Sequence, residues 1–234
     1  MVTMPSLAAS DCAVVLAVKS LAAAKSRLAP LPATTDRGAL VAAMLVDTLA
    51  AVRGAGIDEV LVVSPDPLVH ALTAEAGAHP VPEPEPQPRL SSLNAALAHG
   101  ARAATHSTVA YLQADLPALR GESLVAALDA ARCAGDSAAF VADRAGSGTV
   151  LLVAGPDFVP RFGVGSAEAH RAAGAVELDP PGDRWPDLRT DIDTPADLVA
   201  AVHLGVGART GAVLDGRTGA ASGSAGQRRA NTAQ

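Results

Sequence analysis

Over the first 140 residues, short continuous apolar runs alternate with longer stretches of helical periodicity, and few folds accept that order. The runs are Cys12–Val18 (CAVVLAV), Glu59–Val63 (EVLVV) and Thr108–Gln113 (TVAYLQ), with a short third-strand candidate at His79–Val81. A run that is apolar at nearly every position, instead of every second one, belongs to a strand covered on both faces. Between these runs, Leu40, Ala43, Met44, Val46, Leu49 and Val52 recur at helical spacing within Thr35–Arg53, and Gly54 and Gly56 end the pattern. Further helices are predicted over Pro67–Ala76, from a Ser91 or Ser92 cap to Ala104, and over Gly121–Cys133. The pattern predicts an α/β fold of Rossmann-like type, a mostly parallel central sheet with helices on both faces.

Later elements are shorter. Ala138–Ala142 and Thr149–Val153 flank Asp143-Arg144-Ala145-Gly146-Ser147-Gly148, which reads as a hairpin or a phosphate-holding turn. A helix near Ala167–Ala173, a strand near Ala175–Leu178 and the segment Leu188–Asp191 lead to a last helix, Pro195–Leu204. Five prolines in the nine residues Pro80–Pro88 make a stiff extended loop. The expected organisation is an extension over 1–11, one domain over 12–206, and a disordered Gly/Ala/Ser/Arg tail over 207–234.

Composition excludes several classes. Aromatic residues are only 2% of the chain, so Ala, Val and Leu must build the core. The net charge of −6 argues against a general nucleic-acid binder, which needs a basic surface. The N-terminus has no basic start, and Cys12–Val18 is too short for a signal core or membrane span, so a cytoplasmic protein is expected. Cys12 and Cys133 give neither a disulfide framework nor a metal pair, and both read as small hydrophobes.

Ligands of open α/β sheets bind beyond the carboxyl ends of the strands, and three groups of residues fall there. Lys19, Lys25 and Arg27 follow the first strand and can surround a triphosphate, although a solvated basic turn has the same composition. Asp115 follows a central strand, and Asp191 and Asp193 follow a late one; carboxylates at strand ends suit Mg²⁺. Thr194, Pro195 and Asp197 already supply the start of the last helix, which leaves Asp191 and Asp193 without a structural task. The third group, Gly146–Thr149 with Arg161–Ser166, offers amides and hydroxyls to an anion, or two ordinary turns. His170 and Arg171 on the next helix could reach a carboxylate, but both read as surface residues.

These residues together resemble the CofC/FbiD family of guanylyltransferases. The resemblance is carried by Ala17–Leu28, Leu93-Asn94, Gln113–Pro117, Phe140–Arg144, Gly148-Thr149, Arg161–Gly163 and Asp191–Pro195, in order over about residues 12–206. It implies a nucleotidyltransferase (GT-A-like) form of the fold, GTP as donor, and a three-carbon phospho-acid as acceptor in coenzyme F-420 biosynthesis. For the actinobacterial branch, which this chain most resembles, the acceptor is phosphoenolpyruvate and the product enolpyruvyl-diphospho-5'-guanosine; the archaeal branch implies 2-phospho-L-lactate. The resemblance further implies phosphoenolpyruvate contacts at Thr149, Gly163 and Ser166 and Mg²⁺ carboxylates at Asp115, Asp191 and Asp193. Asp115, Lys25 and Arg27 then carry the catalysis. Lys19, Lys25, Arg27, Ser92 and Asn94 are expected to bind the nucleotide, with Ser91, Ser92 and Asn94 reading guanine or ribose, although Ser91 and Ser92 are equally good helix caps. The product would pass to a later coenzyme F-420 enzyme. Related sugar-nucleotide enzymes have a Gly-rich loop after the first strand; the Ala- and Lys-rich loop here must rely on side-chain cations. Two other readings fit the same architecture: a molybdenum-cofactor or sugar nucleotidyltransferase, and a nucleotide-binding regulatory module without turnover.

Overall fold

The computed structural model describes residues 11–21, 36–85, 91–135, 138–155 and 157–216. Seven strands form one sheet in the order β3-β2-β1-β4-β6-β5-β7. They are β1 (Ala13–Ala17), β2 (Val60–Ser64), β3 (His79–Pro82), β4 (Val109–Leu112), β5 (Ala139–Ala142), β6 (Thr149–Ala154) and β7 (Val176–Glu177). All neighbours pair in parallel except β6, which is antiparallel to both β4 and β5. Of the two sequence readings of residues 143–148, the hairpin is therefore the one formed.

The continuous apolar runs are explained by the two sides of the sheet. Val14 and Leu16 of β1 enter one hydrophobic cluster with Val60, Val62, Leu45, Leu49 and Leu124. Ala13 and Val15 enter another, with Leu61, Val63, Leu97, Tyr111 and Leu152. Successive strand residues point to opposite faces, so a strand buried on both must be apolar throughout. Helices α1 (Arg37–Gly54) and α4 (Gly121–Cys133) supply the first cluster, and α3 (Ser92–Ala103) the second. α3 lies so near the sheet that a Cβ on Gly100 would stand 2.6 Å from Val15 Cγ1 and 2.8 Å from Val63 Cγ2. The closeness of this helix, and so the position of its N-terminus, depends on that missing methyl group.

The proline-rich segment begins as a strand instead of a loop. β3 occupies the edge of the sheet, with Pro80 and Pro82 beside Val62 and Ser64 in parallel register. Alternate prolines remove only alternate N–H groups, those directed away from β2, so β3 can pair inward while its outer side offers no donors.

The remaining helices are α2 (Pro67–Glu75), α5 (Ser166–Ala172), α6 (Pro186–Arg189), α7 (Pro195–Leu204) and α8 (Ala208–Leu214). α8 corrects the expectation of a tail beginning at residue 207. Its N-terminus is held by Asp47 of α1, whose carboxylate accepts from Arg209 N at 3.1 Å and Thr210 N at 2.7 Å. A contact across more than 160 positions leaves no local pattern in the sequence. Capping carboxylates contribute about 1–2 kcal/mol, and about 2–4 °C accompanies each kcal/mol in a domain of this size. Asp47→Ala is therefore expected to lower Tm by several degrees while leaving the Michaelis constants of both substrates unchanged, as thermal denaturation and steady-state assays would show.

Cys12 is buried, and burial followed by the charge of Asp11 pushes its thiol up to about 11, as suits an inert core residue. Cys133 departs from expectation: at the last position of α4 it is exposed. Among the described residues no helix is long and apolar enough to cross a membrane.

Candidate active site

The strand order turns back between β1 and β4, both parallel, and a crevice opens beyond their carboxyl ends. Lys19 stands two residues past β1 and is exposed, and Asp115 stands three residues past β4. Lys25 and Arg27 lie outside the described residues. The entry to their loop is nonetheless anchored: Leu21 N–H donates to Asp66 Oδ2 at 2.9 Å, while Asp66 Oδ1 caps α2 through Leu68 N at 3.0 Å. These backbone bonds, the one from Leu21 foremost, hold the Asp66 carboxyl below its ordinary range.

Asp115 sits on a turn fixed from beneath. Thr48 of α1, fully buried, accepts from Leu116 N at 3.1 Å and lies 2.8 Å from the Met44 carbonyl oxygen. Asp191 and Asp193 are aimed by the residue between them. Ile192 is buried in a small cluster with Leu40, Met44, Ala118 and Leu198, and its neighbours are half-buried and exposed, respectively. Upstream, the buried guanidinium of Arg189 donates to the carbonyls of Arg184, Ala142, Leu178 and Asp179, locking the segment before Asp191 onto β5. Downstream, Thr194 and Asp197 form a full capping box at α7, so the two aspartates are not needed there.

The acidic groups act on one another. Burial first, then the charges of Asp115, Asp193 and Asp143, pushes the Asp191 carboxyl up to about 8. Asp143 is the member that sequence reasoning missed; it follows β5 and holds the hairpin turn by accepting from Ser147 N at 2.9 Å. Its position after a strand was the available signal. Among the described residues, no three carboxylate, imidazole or thiol groups approach closely enough to enclose an ion by themselves. Mg²⁺ retains water and phosphate ligands and takes one or two carboxylates, so this donor set suits it better than a metal that requires a complete protein cage.

The raised Asp191 carboxyl has a consequence for stability. Its ordinary value is 3.8, and the folded value is about 8. Between them the folded chain keeps a proton that the unfolded chain has released, so stability falls as pH rises through this window and levels off above it. Without divalent cations, Tm is expected to decline from about pH 5 to pH 8, and Asp191→Asn should flatten that slope in thermal scans.

A second corner forms around His170. Thr149 opens β6, Ser166 opens α5, and both are buried. Thr149 Oγ1 is 2.9 Å from His170 Nδ1, and Arg161 N–H donates to His170 Nε2 at 2.9 Å. Ala167 N–H donates to Ser147 O at 3.1 Å, joining α5 to the hairpin turn. Gly163 lies on the connecting loop with φ +134°, where side-chain-bearing residues are strained, and beyond its chain neighbours a Cβ there would meet no atom of the described residues within 4 Å. Thr149, Gly163 and Ser166 are thus brought into one corner. Contrary to the surface role expected of it, His170 is fully buried, whereas Arg171 is a surface residue paired with Glu168 and Glu177.

Ser92 and Asn94 part company. Ser92 lines a shallow cleft, open to solvent, with Ala17, Val18, Lys19, Val63, Glu83, Leu93 and Ala96. Asn94 is buried, and its amide is committed to the chain itself. Its Nδ2 donates to Ser91 Oγ and Phe162 O, both at 2.9 Å, and its Oδ1 accepts from Phe162 N at 2.8 Å. With both donors engaged, Asn94 holds the 161–163 loop against α3, and the base-reading task expected of it has no free hydrogen to use. Glu83, for which sequence reasoning had no use, lines the cleft together with Lys19 and Ser92.

Comparison with known proteins shows the family and the fold. A MobA-like NTP transferase domain matches residues 38–176. A phosphoenolpyruvate guanylyltransferase of Mycolicibacterium gilvum is 47% identical over 205 residues, 86% of this chain and 94% of the relative. Another, from Mycobacterium sp. strain KMS, is 50% identical over 201 residues, covering 85% of this chain and 89% of the relative. Among solved structures, a cytidylyltransferase from Leptospira borgpetersenii superposes with a TM-score of 0.55 at 12% identity, covering 88% of this chain and 91% of its own. A putative nucleotide-diphospho-sugar transferase from Desulfovibrio desulfuricans G20 gives 0.55 at 16% identity, covering 72% and 80%. The structural likenesses establish a nucleotidyltransferase fold.

Proposed function

The chain belongs to the phosphoenolpyruvate guanylyltransferase family, a group of nucleotidyltransferase enzymes, and from that membership we propose that it transfers GMP from GTP to phosphoenolpyruvate. The products are enolpyruvyl-diphospho-5'-guanosine and pyrophosphate. The observation that carries this reading is the pairing of two corners: carboxylates and Lys19 at the β1–β4 crevice, and Thr149, Gly163 and Ser166 beside it on the β5–β6 hairpin and α5.

In the reaction, an oxygen of the acceptor phosphate attacks the α-phosphorus of GTP. The bond from that phosphorus to the bridging oxygen breaks, and pyrophosphate leaves with the electron pair. A phosphate monoester has a second pKa of roughly 6, so it is already largely dianionic at neutral pH and needs no general base. The barrier lies in bringing two polyanions together in line. Lys19, with Lys25 and Arg27 six and eight positions later in the sequence, reduces that repulsion on the donor side. Thr149 and Ser166 hold the acceptor with hydroxyl donors, and Gly163 leaves room for it at the backbone. Mg²⁺ held by Asp115 and Asp191, with Asp193 close by, would neutralise charge on the triphosphate and the leaving group. Ser92 and Glu83 line the donor cleft, where a carboxylate matches the two N–H donors of a guanine edge. A cytoplasmic location and passage of the product to a later coenzyme F-420 enzyme complete the reading.

Pairing each nucleoside triphosphate with phosphoenolpyruvate, 2-phospho-L-lactate and 3-phosphoglycerate, and measuring pyrophosphate release, tests it. GTP with phosphoenolpyruvate is expected to give the highest kcat/KM. A higher value with 2-phospho-L-lactate would reassign the acceptor, and absence of turnover with every pair would leave a nucleotide-binding module.

A further inference from the structure

The chain contains three phenylalanines, and all of them surround one imidazole. The rings of Phe140, Phe158 and Phe162 lie with centroids 5.8, 6.3 and 5.2 Å from that of His170. A sequence so poor in aromatic residues has used them to remove a single histidine from water, yet both of its ring nitrogens are hydrogen-bonded. The bonding pattern fixes its chemical form. Arg161 N–H can only donate, so Nε2 must present a lone pair. A neutral ring with a bare Nε2 carries its hydrogen on Nδ1, and that hydrogen faces Thr149 Oγ1. Thr149 is therefore an acceptor toward His170, and its own hydroxyl hydrogen remains to donate elsewhere. Protonating the ring would set Nε2–H against Arg161 N–H.

We propose that His170 is a positioning residue of the acceptor subsite: it orients the Thr149 hydroxyl as a donor to an anionic oxygen of the phospho-acid and holds the Arg161–Gly163 backbone beside it. This rests on the acceptor reading of Thr149 and Gly163 given above. Burial, assisted by the charge of Arg161, lowers the His170 pKa to about 4, which keeps the ring neutral across the working range. Asn94 clamps the same loop from the other side through Phe162. The loop is thus held at two successive residues, and only the His170 contact also reaches Thr149.

The two functions of the ring can be separated. In His170→Gln the amide oxygen reaches the place of Nε2 and can still accept from Arg161, but nothing donates to Thr149. Steady-state kinetics of the full chain with GTP, phosphoenolpyruvate and magnesium should show the phosphoenolpyruvate KM rising roughly tenfold or more, the loss expected when one hydrogen bond to a charged group is misdirected, with the GTP KM unchanged. Thr149→Val alone should raise the phosphoenolpyruvate KM, and adding His170→Gln to it should cost little more, because both changes remove one interaction. Independently of any variant, nitrogen-15 spectra of the wild-type histidines should show one ring in the neutral Nδ1–H form from about pH 5.5 to 8. A ring in the Nε2–H form overturns the proposal, as does a His170→Gln loss shared equally by both substrates, or losses that simply add to those of Thr149→Val. If Thr149→Val leaves the phosphoenolpyruvate KM unchanged, the acceptor reading fails and this proposal fails with it; if Thr149→Val raises that KM and His170→Gln does not, the proposal alone is wrong. Should His170→Gln not fold, the tautomer seen in the wild-type spectrum decides.

Discussion

Replacing Asp115 or Asp191 by Asn is expected to reduce kcat for guanylyl transfer by about 10²–10³-fold at saturating magnesium, the scale on which removal of one electrostatic contact to a transition state is felt. Each substitution preserves volume and removes one negative charge. The losses should differ in character across the three aspartates. Asp191 is half-buried, and its carboxyl is raised by burial and by Asp115, Asp193 and Asp143. Neutralising it relieves that repulsion, so Asp191→Asn should be at least as stable as the wild type without divalent cations while losing most of its turnover. Loss of activity with gain in stability separates a functional carboxylate from a structural one. Asp193 is exposed, and a smaller loss is expected for Asp193→Asn. Rates close to wild type in all three variants would remove the carboxylates from the chemistry.

The second large effect concerns the acceptor. Gly163→Val should raise the phosphoenolpyruvate KM by about 10–100-fold, since φ +134° is a region that costs residues other than glycine about 1–3 kcal/mol. Beyond its own chain neighbours, no atom of the described residues lies within 4 Å of the Cβ it would introduce, so the steric effect falls on whatever ligand approaches and on the loop conformation itself. Thr149→Val keeps the shape and removes the hydroxyl, which should cost about 1.5–3 kcal/mol of acceptor binding, the range for a hydrogen bond to a charged group. The GTP KM should stay near the wild-type value in both, because Lys19 and the cleft with Ser92 lie at the ends of β1 and β2, on the other side of β4. Parallel loss of both substrates would indicate damage to the fold, and unchanged acceptor kinetics in both variants would move the phospho-acid to another place.

The sequence determined the elements and the end of the sheet where the candidate site residues gather. Cys12–Val18 could be recognised as a strand buried on both faces because it has no polar position to spare. Thr194, Pro195 and Asp197 marked the start of α7 because a capping box is local, spanning only four residues. By the same reasoning Asp191 and Asp193 were visible as carboxylates without a structural task, and Asp115 as an acid at a strand end. What the tertiary structure alone decided depends on partners far apart in the chain. The insertion of β6 between β4 and β5, the clamp of Asp47 on α8, and the commitment of Asn94 to Phe162 across 68 positions leave no periodic trace. His170 is the clearest case. On a seven-residue helix beginning in small residues it reads as exposed, yet Phe140 of β5 and Phe158 and Phe162 of the stretch before α5 close over it. Local patterns reveal backbone hydrogen bonding and which face is buried, because both repeat every two to four residues. Which distant side chains meet in that interior, and therefore which polar groups remain free for a ligand, is settled only when the whole chain packs.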